Sequence, residues 1–183
     1  MKHRSRSFNS AGIVLKRVKV GETDRVVTLL TQDFGKLVAV AKGVRKLSSS
    51  KRAFLEPGNY VQAHFIKTKS LPLLIQAKLL ADCSEVRNDL VEIRKLTQFL
   101  EVLEKLFVEE ELPAELFQKI LKLRQGIAQQ KFKNGQIKQH LESLVQALGY
   151  RHPRETEYDS VLAYVSSLAD RPMRSFEYLA TKK

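Results

Sequence analysis

The sequence predicts an α+β protein in two parts, a five-stranded barrel of OB type followed by an all-α helical domain. Three observations carry that reading. Up to about residue 82, short β-branched and apolar runs alternate with turns rich in Gly, Pro, Asn and Asp. Beyond Asp82 the apolar residues recur with a period near 3.6 instead. The charge changes at the same place: residues 1–82 hold 16 Lys and Arg against 5 Asp and Glu, a net of +11, whereas residues 83–183 hold 16 against 15, a net of +1. The chain is therefore expected to divide into domains 1–82 and 83–183.

Residues 11–20, AGIVLKRVKV, form the first expected strand. Strict alternation points Val18 and Val20 inward and Arg17 and Lys19 outward. The runs VVTLLT and KLVAVA pair as a hairpin from about Arg25 to Ala41, with Gln32-Asp33-Phe34-Gly35 as its turn and Gly35 free to take a positive φ. Residues 44–56 have no clear period and include Ser48, Ser49 and Ser50, so they read as a long exposed connection with room for a helical turn. Pro57-Gly58-Asn59 is a turn signal. Residues 60–67 and 73–81 supply strands four and five around a turn at Lys69-Ser70-Leu71-Pro72. A longer insertion after the third of five short strands suits an OB barrel, and closure removes sheet edges that a small domain would otherwise expose. An SH3-like barrel fits the pattern nearly as well.

Asp89, with Glu92 three residues on, reads as a capping pair opening a long helix. Leu96, Phe99, Leu100, Leu103, Leu106 and Phe107 form its apolar stripe, expected to run to about residue 109. Glu109, Glu110 and Glu111 precede Pro113, which suits the start of a second helix carrying Leu116, Phe117, Ile120, Leu121 and Arg124. Asn134 is placed to cap a third helix, with Ile137, Leu141, Leu144, Val145 and Leu148 inward and Gly149 at its end. Residues 159–169 repeat the pattern with Val161, Leu162, Val165 and Leu168, and a final turn from Ser175 to Ala180 would dock Phe176 and Leu179. Short links between such helices give a bundle. Core packing accounts for each stripe, and a groove left between helices suits a partner's apolar peptide, rimmed by Lys119, Lys122 and Arg124.

Several chemistries lack their residues. The single cysteine, Cys83, excludes an internal disulfide and a cysteine-rich zinc site, and reads as a small buried hydrophobe. No apolar run reaches the roughly 18 residues that span a bilayer, so a soluble cytoplasmic protein without membrane contact is expected. There is no phosphate-cradling GxxxxGK loop. His3, His64, His140 and His152 have neither the spacing nor the carboxylate company of a metal site. Glu22 and Asp24 lack a second acid–base element, and turn chemistry is the simpler role for them. The chain reads as no enzyme and as needing no cofactor.

What the sequence offers instead is a cationic segment. From Lys36 to Arg52 there are six Lys or Arg and no Asp or Glu. Candidate phosphate contacts are Arg25, Lys36, Lys42, Arg45, Lys46, Lys51 and Arg52, supported by Arg17 and Lys19 on the first strand. Any one of them alone reads as a solvated surface cation; the segregation of charge between the two halves argues for a polyanion. Phe34 and Phe54 are candidates for base stacking or, more simply, for packing.

The same stretch resembles the bacterial recombination mediator family RecO. The matching motifs are Gly12-Ile13-Val14-Leu15, Gly21-Glu22-Thr23-Asp24, Leu29-Leu30-Thr31, Gly35 and Ala41-Lys42-Gly43-Val44-Arg45 with Ser48 to Arg52 behind them. Leu148-Gly149-Tyr150 and Arg171-Pro172-Met173-Arg174-Ser175 resemble two later signatures of the family, in order. The resemblance implies an OB-fold and a helical domain. It also implies binding of single- and double-stranded DNA, strand annealing, engagement of the acidic C-terminal tail of the single-stranded DNA-binding protein SSB, cooperation with RecR, and help in loading RecA. Many members carry a four-cysteine zinc module after the LGY motif; here His152 to Asp159 holds no cysteine, so no zinc module is expected. Two other readings of the residues stand beside this one: an RNA- or ribosome-associated OB module, and a structural adaptor whose charge is incidental.

Overall fold

The computed structural model describes residues 6–43, 51–133 and 135–169, with the side chains of Lys51 and Arg52 left aside. Asn134 and the turn from Ser175 to Ala180, with Phe176 and Leu179, lie outside the described residues, as does the Arg171–Ser175 motif.

Five strands, β1 (Ser7–Val20), β2 (Asp24–Thr31), β3 (Gly35–Ala41), β4 (Tyr60–Ile66) and β5 (Leu73–Ala81), close into a barrel in the order β1-β2-β3-β5-β4. Neighbours are antiparallel except β3 and β5, which run parallel. One long strand makes the closure. The first half of β1 pairs with β4, from Ser7 opposite Ile66 to Ile13 opposite Tyr60, and its second half pairs with β2, ending with Val20 opposite Asp24. This is the OB topology, with a short helix α1 (Lys51–Phe54) in the connection after β3.

Where β1 changes partners it carries a bulge, a slip in register between Val14 and Lys16. The Val14 amide donates to the carbonyl of Asn59 at 2.9 Å, and the Val14 carbonyl accepts from the Gly58 amide at 2.8 Å. The Pro57-Gly58-Asn59 turn thus takes the backbone groups that the sheet gives up. The extra residue reverses the side-chain faces beyond it. Val18 and Val20, expected inward, are each 46% exposed, while Arg17 moves to the core-facing row. Unbroken alternation from Val14 places these valines inside; one inserted residue puts them out.

The barrel core holds Val14, Val27, Leu29, Ala39, Ala41, Val61, Ala63, Phe65 and Leu74, with Leu55 from the β3–β4 connection. Leu55 is fully buried, so this connection is not exposed throughout. Asn59, itself buried, donates from Nδ2 to the carbonyls of Ala53 and Phe54 and closes the end of α1.

The helices are α2 (Leu90–Leu106), α3 (Ala114–Ala128), α4 (Gln136–Ala147) and α5 (Val161–Leu168). Asp89 caps α2 by accepting from the Val91 amide at 2.7 Å, but Glu92 does not complete the expected pair: it is buried and accepts from Lys95. Ser160 caps α5 through the Ala163 amide. The predicted stripes are buried at Leu96, Phe99, Leu100 and Leu103, at Phe117 and Ile120, at Ile137, Leu141, Leu144 and Val145, and at Val161, Leu162 and Val165. Gly149 takes φ +85° just past α4.

The first long helix stops at Leu106 rather than near 109. Phe107–Pro113 groups instead with the barrel. There the Lys36 amide donates to the Val108 carbonyl and the Leu112 amide to the Gln32 carbonyl, both at 2.8 Å, so the segment lies along the β2–β3 turn. Gly35 serves two needs at this contact. Its φ is +59°, and a Cβ there would run into the backbone of Val108 and Glu110. Gly21 has the same φ with nothing near. Gly21→Ala should therefore cost about 1 kcal/mol of strain alone, whereas Gly35→Ala should cost at least about 2 kcal/mol in equilibrium denaturation. Equal losses would overturn the close-approach account.

Candidate nucleic-acid interface

Register brings three connections to one end of the barrel. Val20 faces Asp24 across the 21–23 turn, Arg25 faces Ala41 at the exit of β3, and Val40 meets Leu73, which is also opposite Ile66. The Val40 amide donates to the Pro72 carbonyl at 2.9 Å, holding the 67–72 connection against β3. Asp24 secures the same end: its Oδ1 accepts from the Gly43 amide at 2.9 Å and from Thr23 Oγ1 at 3.0 Å. The turn role expected of Asp24 is thus filled by a donor 19 residues away, which fixes where the chain leaves the barrel toward residues 44–50.

The candidate cations are not all together. Lys19 and Arg25 face each other directly, beside Ala41, and Arg17 lies opposite Val27 on the same face. Like charges placed across a strand pair repel by a few tenths of a kcal/mol, a cost that a phosphate between them removes. Arg17 is ion-paired with Glu56, with both side chains mostly withdrawn from solvent, and so is partly neutralised. Lys42 is exposed where β3 ends. Lys36 sits opposite Leu30 at the far end of the hairpin, about 20 Å from Lys42 along an extended strand. Arg45 and Lys46, and the side chains of Lys51 and Arg52, lie outside the described residues.

Besides Lys78 of β5, three further exposed lysines of the barrel escaped the sequence reading. Lys16, opposite Thr28 on the outer face, is exposed because the bulge turns it there. Lys67 and Lys69 are exposed in the 67–72 connection, and Lys67 Nζ stands 5.7 Å from the Phe8 ring centroid. The basic pair within the fourth turn was the signal for the last two. The aromatics contribute packing. Phe34 is tilted against Phe8 at 4.7 Å, Phe8 stacks on Phe65 at 5.0 Å, and Phe54 packs on the barrel core. Burial, and secondarily the Asp33 carboxylate, raise the Tyr60 phenol above its ordinary pKa, so it remains neutral.

The helical unit has a cleft of ≈ 180 Å³ lined by Lys119, Lys122, Leu123, Phe132, His140 and Leu144. Its construction can be traced. Gly126 lacks the Cβ that would strike the Phe132 ring, and His140 tilts against that ring at 4.5 Å. Lys95, 6% exposed, donates to Glu92 Oε1 and to the Phe132 carbonyl, each at 2.6 Å. Lys119 Nζ donates to the carbonyl and hydroxyl of Ser143, which pins it beside the opening. Lys122 is exposed at the same cleft. Arg124 is not on a rim. It is 4% exposed, because four residues after Ile120 it falls on the inner face of α3.

No group of three or more His, Cys, Asp or Glu among the described residues is placed to hold a metal ion. Among them, too, no helix is long and apolar enough to cross a membrane. Residues 4–82 match the family model described as Recombination protein O N terminal. The chain is 35% identical over 108 residues to a DNA repair protein RecO of Frankia casuarinae, covering 58% of this chain and 44% of that protein. It is 34% identical over 101 residues to a DNA repair protein RecO of Heliobacterium modesticaldum, covering 55% and 37%. The match spans less than half the length of either relative. The barrel, residues 4–82, thus carries a match to the RecO N-terminal family, and the chain is similar to RecO proteins over rather more than half of its length.

Proposed function

We propose that this protein is a DNA-binding recombination mediator that acts in DNA repair by placement rather than by covalent chemistry. The observation that carries the reading is the gathering of Lys19, Arg25, Lys42, Lys67 and Lys69 at the loop end of a barrel that matches the RecO N-terminal family. OB barrels bind oligonucleotides across the second and third strands, between the first and fourth connections. Here Lys19 and Arg25 flank the first connection at the ends of β1 and β2, the fourth carries Lys67 and Lys69, and Lys16 adds charge on the outer face of β1. Phosphate neutralisation releases counterions and gives sequence-independent affinity for single- and double-stranded DNA. Two complementary strands held on one cationic surface repel each other less and meet at higher local concentration, which accelerates annealing.

The helical cleft takes the second role. An acidic tail ending in an apolar residue, the chemistry of the SSB C-terminus, fits an apolar floor of Leu123, Phe132 and Leu144 beside Lys119 and Lys122. Cooperation with RecR and loading of RecA follow from the family reading, not from a particular surface of this chain.

Annealing of complementary oligonucleotides, bare and SSB-coated, across a salt series tests the first role. Acceleration on both substrates is expected, falling steeply with salt; a preference for structured RNA with DNA annealing unchanged would sink it. For the second, an acidic peptide with a terminal Phe should bind the full chain in titration calorimetry. Lys119→Glu with Lys122→Glu should weaken that binding about tenfold or more while leaving DNA binding within about twofold. Unchanged peptide affinity in that variant would place the tail elsewhere.

A further inference from the structure

On the side of the barrel formed by β1, β4 and β5, the register lines up Asn9, His64 and Gln76 in one row and Gln62 with Lys78 in the next. Ala63, Phe65 and Leu74 between them turn to the core, so these five side chains share the outer face. They line a concavity of ≈ 370 Å³, which suits a nucleotide-sized group. Among the described residues no carboxylate lines it, and Lys78 is the one Lys or Arg that does. The Gln62 and Gln76 amides and the Lys78 ammonium have no hydrogen bond or ion pair among the described residues. His64 Nδ1 lies 2.7 Å from Asn9 Oδ1; an amide oxygen can only accept, so Nδ1 donates, the ring is held, and Nε2 is left for another partner.

We propose that this ledge is a subsite for the unpaired bases of single-stranded DNA. The proposal rests on the DNA-binding reading above and adds where base edges, rather than phosphates, are held. A side-chain amide presents a donor and an acceptor side by side, the pattern that pairs with a base edge. Two such amides and a fixed imidazole make a surface for bases, with Lys78 for the adjoining phosphate. A duplex has already used its Watson–Crick edges and offers this ledge little. A peptide adding as a strand would pair with backbone at a sheet edge and would not use the outward side chains of this face. The ledge is also continuous with the cationic end, since β5 lies beside β3 and the Lys67–Lys69 connection leads from β4 into β5. A strand gripped at the loop end can follow the barrel round to it. The consequence is selectivity for single strands, which phosphate contacts alone do not supply.

The test uses the full chain and a Gln62→Ala/Gln76→Ala variant, with equal thermal melts confirming that the fold is kept. Affinities are measured for a labelled mixed-sequence oligonucleotide, the same sequence as a blunt duplex, and an abasic oligonucleotide of equal length. The variant should lose about tenfold on the single strand and less than about twofold on the duplex and the abasic strand. Lys78→Gln should weaken binding of the base-bearing and abasic single strands alike and lower their salt slope by about one. No loss on the single strand, or equal losses on all three ligands from the amide variant, overturns the ledge and leaves the DNA-binding reading standing. Failure of the unsubstituted protein to bind any of the three overturns that reading and the ledge with it.

Discussion

The backbone bonds between Val14 and the Gly58-Asn59 turn are the constraint on which the barrel depends. A strand that serves two neighbours must leave one ladder and join another, and at the changeover its amide and carbonyl need partners. Asn59 and Gly58 supply them, and the same Asn59 closes α1 through its side chain. One turn therefore stabilises the bulge, ends the short helix and admits Leu55 to the core. The bulge has a second effect. It inverts the side-chain faces beyond Val14, sending Lys16, Val18 and Val20 outward and bringing Arg17, Lys19 and Arg25 onto one face. A single inserted residue thus decides which cations are neighbours.

Charge alone does not make a binding surface, and the barrel sorts its cations by position. Asp24 fixes the exit of β3 and, with it, the starting point of the basic connection. Lys36 is held apart at the other end of the hairpin, where its amide is bonded to Val108 and the exposed Glu109, Glu110 and Glu111 follow. That acidic run marks one limit of the cationic face, since a polyanion extending toward it meets like charge within a Debye length. On the proposed reading the loop end, where no such run lies nearby in sequence, is the more favourable grip.

In the helical unit the corresponding device is a buried lysine. Burying Lys95 is costly unless the ammonium is paired with a counter-charge and hydrogen-bonded. Glu92 and the Phe132 carbonyl meet that requirement, and in doing so tie a loop residue to the inner face of α2. Gly126 then lets the Phe132 ring settle against α3. The apolar wall of the cleft is set by a charged pair, a missing Cβ and a tilted imidazole, none of which an apolar periodicity announces.

Much of this architecture was readable in the sequence. The hairpin, with Gly35 at its turn, followed from the spacing of β-branched runs, and the helical stripes from the 3.6 period, because both patterns are imposed locally by the geometry of the chain itself. The charge partition pointed to a polyanion, and the ordered motifs to a resemblance to the RecO family, for the same reason: they are properties of composition and order. What the tertiary structure decided were the relations between distant residues. The faces of Val18 and Arg17 depended on a bulge held by a turn more than 40 residues later. The burial of Arg124 depended on which face of α3 its neighbours cover, and the loss of Glu92 to the capping pair on a lysine and a carbonyl beyond its own turn. The polar ledge of Asn9, Gln62, His64, Gln76 and Lys78 exists only because three strands pair in one register. Local periodicity determines which elements form; cross-strand register and buried polar partners determine which side chains meet.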